Sequence, residues 1–79
     1  MSFIDFKKVL KNKFSEHKNP RCSIYSSSNV VYKSPILEED IDSIYEPKKD
    51  VSLFVKIYND VSEIEYKYLN GEFEILSND

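Results

Sequence analysis

The dipeptide Asn70-Gly71 stands between two alternating runs, Glu65-Tyr66-Lys67-Tyr68-Leu69 and Glu72-Phe73-Glu74-Ile75-Leu76, and no other feature of the chain restricts its fold so tightly. A two-residue hairpin turn of the favoured kind needs positive φ at both central positions, which Asn and Gly tolerate best. Side chains alternate across a strand, so Tyr66, Tyr68, Phe73 and Ile75 fall on one face. The spacing predicts Leu69 opposite Glu72, Tyr68 opposite Phe73 and Tyr66 opposite Ile75. Asn59-Asp60 reads as a second two-residue turn. It sets Tyr58 opposite Val61, Val55 opposite Ile64, Leu53 opposite Tyr66 and Val51 opposite Tyr68. On the other face Lys56 then meets Glu63 and Lys67 meets Glu74, pairs that contribute about 0.2–1 kcal/mol each. The expectation is a three-stranded antiparallel meander, Val51 to Tyr58, Val61 to Leu69 and Glu72 to Ser77. A slip of one residue would turn its whole apolar set to solvent.

An apolar face of that size needs a cover. Ser2 and Asp5 have the spacing of a capping box, and Phe3, Phe6, Leu10 and Phe14 follow at helical intervals, with His17 extending the row. This helix should stop near Lys18, because Asn19-Pro20 disfavours its continuation. Cys22 to Ser27 and Val30 to Ser34 read as a hairpin through Ser27, Ser28 and Asn29. Ser34-Pro35 resembles an N-cap with Pro in the first helical position. A short helix from Pro35 to Tyr45 follows from Leu37, Ile41 and Ile44, with Glu38, Glu39 and Asp40 in the dipole-favoured first turn. The predicted fold class is α+β: helix, hairpin, short helix and meander, with the helices packed on one face of an antiparallel sheet.

Seventy-nine residues suffice for one core, so residues 1–79 are expected to form a single domain. A chain this small has little structure to spare for a deep substrate pocket. Its one cysteine, Cys22, excludes an internal disulfide and suits a reducing compartment. The first ten residues are charged at Asp5, Lys7 and Lys8, unlike a signal peptide, and no apolar run approaches a membrane span. A soluble, cytoplasmic protein without a membrane partner is expected.

The residues offer little for chemistry. His17 and Cys22 are each unique, and no nearby Asn or Asp suggests itself to orient them, so a helix-terminal histidine and a small strand residue is the simpler reading. One histidine and one cysteine fall short of a structural zinc site. Glu38, Glu39, Asp40 and Asp42 lack the spacing and glycine of a calcium loop. With one glycine in the chain, glycine-rich phosphate loops are excluded. No enzyme activity, metal or cofactor is expected.

Charge is divided unevenly, and this carries the functional expectation. Residues 1–33 hold seven positive groups against two carboxylates, whereas residues 34–79 hold four lysines against twelve carboxylates. The acidic half, with Phe54, Tyr58, Val61, Leu69 and Leu76 on the predicted outer face of the sheet, has the make-up of a protein-binding patch with a charged rim. A non-enzymatic inhibitor or modulator of a larger protein is expected, its target fitting best if it binds nucleic acid. Size and charge are those of an immunity or phage anti-host factor. The candidate contact residues are Glu38, Asp42, Phe54, Tyr58, Glu63, Glu65 and Glu74. A hairpin over that face, or a homodimer mate, would cover it instead, and an edge strand offers another way to pair. The alternative is a small nucleic-acid-binding protein using Lys7, Lys8, Lys11 and Arg21, with Tyr25 and Tyr32 nearby to stack bases.

Overall fold

The computed structural model describes residues 2–78; Met1 and Asp79 lie outside them. Helix α1 spans Phe3–Glu16, and both halves of its capping box are formed. The Asp5 amide donates to Ser2 Oγ over 3.2 Å, and the Ser2 amide reaches Asp5 Oδ2 over 3.4 Å. Asn19 takes a left-handed φ of 53° immediately before Pro20, which turns the chain into strand β1, Arg21–Ser26. Strands β2 (Leu53–Tyr58), β3 (Glu63–Leu69) and β4 (Glu72–Asn78) complete a four-stranded sheet in the order β1-β2-β3-β4. Every neighbouring pair is antiparallel.

The fold is therefore α+β, as expected, but the predicted hairpin is half right. Its first strand exists and pairs with β2, Cys22 opposite Ile57 and Ile24 opposite Val55. Residues Val30 to Ser34 are not a strand. Serine hydroxyls turn the chain away there: the carbonyls of Ser28 and Val30 both lie within reach of the Ser26 hydroxyl proton, at 3.3 and 3.2 Å, and the amides of Ser28 and Val30 donate to Ser26 Oγ and Ser28 Oγ. Such local side-chain bonds compete directly with a ladder. The predicted short helix also shrinks, to a 3-10 helix at Glu38–Ser43. Pro35 is buried but not helical, and the start is set from within. Asp40 reaches back to accept from the amides of Ile36 (3.0 Å) and Leu37 (2.8 Å), so those donors need no cap from Ser34.

Around Asn70-Gly71 the register is the predicted one, with φ of 49° and 85° at the turn and Leu69, Tyr68 and Tyr66 facing Glu72, Phe73 and Ile75. It breaks only at a bulge, where Glu65 faces Ser77 and Leu76 is the extra residue. The other turn is longer than predicted. Asn59 Oδ1 accepts from the amides of Val61 (3.0 Å) and Ser62 (2.9 Å), and the Asn59 amide donates to the Ser62 carbonyl. An Asx turn of this kind makes Asn59–Ser62 the loop and leaves Val61 in solvent. Register consequently moves by two: Leu53 faces Tyr68, Val55 faces Tyr66 and Ile57 faces Ile64. A shift of two keeps every side chain on its predicted face.

One cluster of buried residues fills the space between α1 and the sheet. It joins Phe3, Phe6, Leu10 and Phe14 of the helix to Leu53, Val55, Ile57, Ile64, Tyr66 and Tyr68, with Cys22 and Ile24 from β1 and Tyr32, Ile41 and Ile44 from the returning segment. Phe6 is its hub, with ring centroids 6.0, 5.1 and 5.0 Å from Tyr66, Tyr68 and Phe73. Ile75, predicted to join this face fully, is 54 % exposed, because it lies beyond the cover that Phe6 gives to Phe73. The Tyr66 hydroxyl is buried without a hydrogen-bond partner among the described residues.

Candidate functional site

Strand alternation places Arg21, Ser23 and Tyr25 of β1, Phe54, Lys56 and Tyr58 of β2, Glu63, Glu65, Lys67 and Leu69 of β3, and Glu72 and Glu74 of β4 on the face turned away from α1. Its β1–β2 side carries an aromatic pair. Tyr25 lies opposite Phe54, and their rings stack at 4.9 Å with planes 15° apart. Tyr25 remains 53 % exposed, and its hydroxyl reaches across β2 to donate to Glu65 Oε2 over 3.2 Å. Burial of the ring and the Glu65 carboxylate both push its phenol above the ordinary tyrosine range. Tyr58 and Leu69 are half-buried on the same face.

Carboxylates and cations share this face. Lys56 stands directly opposite Glu65 and pairs diagonally with Glu63 at 3.7 Å, so the predicted Lys56–Glu63 partnership survives the register shift in another geometry. Lys67 stands opposite Glu74. With Arg21 included, the face combines both signs of charge with an aromatic pair toward its β1 edge. Of the predicted contact residues, Phe54, Tyr58, Glu63, Glu65 and Glu74 come together here. Val61 sits in the loop, and Leu76 at the bulge.

Glu38 and Asp42 lie elsewhere, in the 3-10 helix on the α1 side. Asp42 is engaged there: Lys11 Nζ lies 3.0 Å from its carboxylate and Lys7 Nζ donates to its carbonyl over 3.3 Å. The Asp42 hydrogen bond raises the Lys11 ammonium above the ordinary lysine range. Two of the four basic residues proposed for nucleic acid are thus bound to the protein's own 3-10 helix. Lys8 is exposed on α1, and Arg21 belongs to the opposite face of the sheet. The sequence offered no signal for the Lys11–Asp42 bond, which joins residues 31 apart.

The remaining reactive side chains are committed to the fold. Cys22 is buried on the helix side of β1, and burial pushes its thiol up to about 12. His17 caps α1, its Nδ1 lying 2.7 Å from the Lys13 carbonyl, and no hydrogen bond joins it to Cys22 among the described residues. Among the described residues no group of three or more His, Cys, Asp or Glu side chains is placed to hold a metal ion. No helix there is long and apolar enough to cross a membrane.

Tyr25 is the residue of the aromatic pair to which the sequence reading gives another role. That reading groups it with the basic residues, and the only signal that it meets Phe54 is the pairing of β1 with β2, which alternation alone does not supply. Set against known proteins, the chain matches no family model, no curated protein and no solved structure.

Proposed function

We propose that the protein is a small, non-enzymatic binding module that inhibits or modulates a larger protein through the outer face of its sheet. The supporting observation is the Tyr25–Phe54 stack, a partly exposed aromatic surface on the β1–β2 side of a face that also carries Arg21, Lys56, Lys67 and four carboxylates. Interfaces commonly concentrate their binding energy in central aromatic side chains surrounded by a polar rim that excludes water. The face here offers both signs of charge, Lys56 and Lys67 beside Glu63, Glu65 and Glu74, which favours a partner selected by charge pattern over one held by net attraction. A target that itself binds nucleic acid remains the best fit to the carboxylate excess of residues 34–79, and the immunity or anti-host role proposed from size and charge falls within this reading.

The test is capture from the native host with the tagged protein, read by mass spectrometry and repeated with a Tyr25→Ser/Phe54→Ser variant and with lysine at Glu63, Glu65 and Glu74. A partner retained by the unaltered chain should be lost with the first variant, since truncating an aromatic hot spot costs about 2 kcal/mol or more, and weakened about tenfold with the second. Equal capture by all three proteins overturns the proposal.

A further inference from the structure

Strands β1 and β4 are the two edges of the sheet, and they differ in what lies beneath them. Under β1 the core is closed, with Cys22 5 % and Ile24 8 % exposed. Under β4 it is open: Phe73 is half-buried and Ile75 is 54 % exposed on the α1 side of the sheet. On the outer side the same strand carries Glu72 and Glu74, both exposed and without a cation within ion-pair distance among the described residues. Before its bulge, β4 therefore presents four residues in strict alternation, with carboxylates on one side, apolar groups on the other and an unpaired backbone row along the edge.

An edge of this kind selects its own complement. A strand added beside β4 must place apolar side chains next to Phe73 and Ile75 and will gain most from cations next to Glu72 and Glu74. The chain already contains the pattern on the other side of β4, where β3 sets Tyr66 and Tyr68 opposite Ile75 and Phe73 and Lys67 opposite Glu74. A second copy of β4 is a poorer occupant, because two-fold pairing brings four carboxylates to one seam. From these observations the geometry points to the β4 edge, along Glu72–Ile75, as the docking site for an extended segment of another protein in which basic and apolar residues alternate. This deepens the reading of the protein as a binding module and rests on it, while using a surface distinct from the Tyr25–Phe54 stack.

The experiment uses two synthetic ten-residue peptides, one alternating lysine and valine and the other glutamate and valine, titrated into the isotopically labelled full chain at low ionic strength and followed by amide chemical shifts. The lysine peptide should shift the amides of residues 72–78, bind at least about five times more weakly to an E72Q/E74Q variant, and weaken as salt is added. The stacked pair should be unaffected, so failure at the edge is distinguishable from failure of the outer-face proposal. The inference is overturned if the lysine peptide does not bind at millimolar concentration, if its shifts map elsewhere, or if the glutamate peptide binds equally well. It is also overturned if the β4 amides of the unliganded protein shift with its own concentration, since a second copy would then be the occupant.

Discussion

Strands β1 and β4 are both edge strands of one sheet, each paired along one side only, yet their inward side chains meet different surroundings. Cys22 and Ile24 sit in the same buried cluster as Tyr32, Ile41 and Ile44, which the irregular segment after β1 carries back over the core. Ile75 has no such roof, because α1 covers the sheet only as far as Phe73. An edge strand is therefore not open or closed by position alone. Its character is decided by where the connecting chain goes next, and here some 26 residues separate β1 from β2 while two separate β3 from β4.

The contrast is open to direct attack. The largest expected effect is on stability: Ile24→Ala should cost about 2–4 kcal/mol, as for other buried aliphatic truncations, against less than about 1 kcal/mol for Ile75→Ala. Urea denaturation of the two variants checks this, and equal losses would mean that the edges are equally covered. Next comes thiol accessibility. Cys22 should react with a disulfide reagent at neutral pH on the order of a hundredfold more slowly than the unfolded chain. A cysteine at position 75 in a Cys22→Ala background should react nearly as fast as a free thiol, and comparable rates at the two positions would erase the distinction.

The smallest of the three effects is the response to alkali. Burial raises the Cys22 thiol to about 12 from an ordinary 9.0 and also raises the phenols of Tyr66 and Tyr68. The unfolded chain thus releases these protons at lower pH than the folded one. Their contribution to stability is complete below about pH 9 and is lost as pH rises toward the folded values. For Cys22 the loss should be about 1.4 kcal/mol per pH unit once above pH 9. Denaturation at pH 8, 9 and 10 should show a shallower decline for Cys22→Ala than for the unaltered chain, and parallel declines would place the thiol outside the closed core.

How much of this was legible in the residues follows the distance over which each feature is decided. The α1 face and the Asn70-Gly71 turn are local: a 3-4-4 spacing of phenylalanines and leucine, and a dipeptide suited to positive φ, fix them within a few neighbours. The face assignment of β2 and β3 was equally legible, because alternation is insensitive to a two-residue error. The loop length was not, since it depends on one Asn59 oxygen accepting two amides and a hydroxyl. The route of residues 27–37 was illegible for a different reason. Val30-Val31-Tyr32 has strand composition, and it is drawn off the sheet by the serine hydroxyls, by the Tyr32–Tyr45 stack, 4.5 Å apart, with the Tyr32 hydroxyl donating to the Tyr45 carbonyl, and by the Asp40 bonds that follow. Of the candidate site, the carboxylates and Phe54 were readable from alternation, while Tyr25 needed knowledge of which strand neighbours β2.

The Asn59 turn also defines the nearest rival to the native state. Drawn back to two loop residues, β2 would slide along β3 to set Leu53 against Tyr66 and Val55 against Ile64, and each inward side chain would still point inward. Such a slipped meander has lost ladder bonds and loop contacts but none of its hydrophobic logic, so patterning alone opens little energetic gap against it. In the landscape of this chain, the fold is chosen by its oily residues and the register by two amide side chains, Asn59 in the loop at one end of the β2–β3 pair and Asn70, bonded to Asp50, at the other.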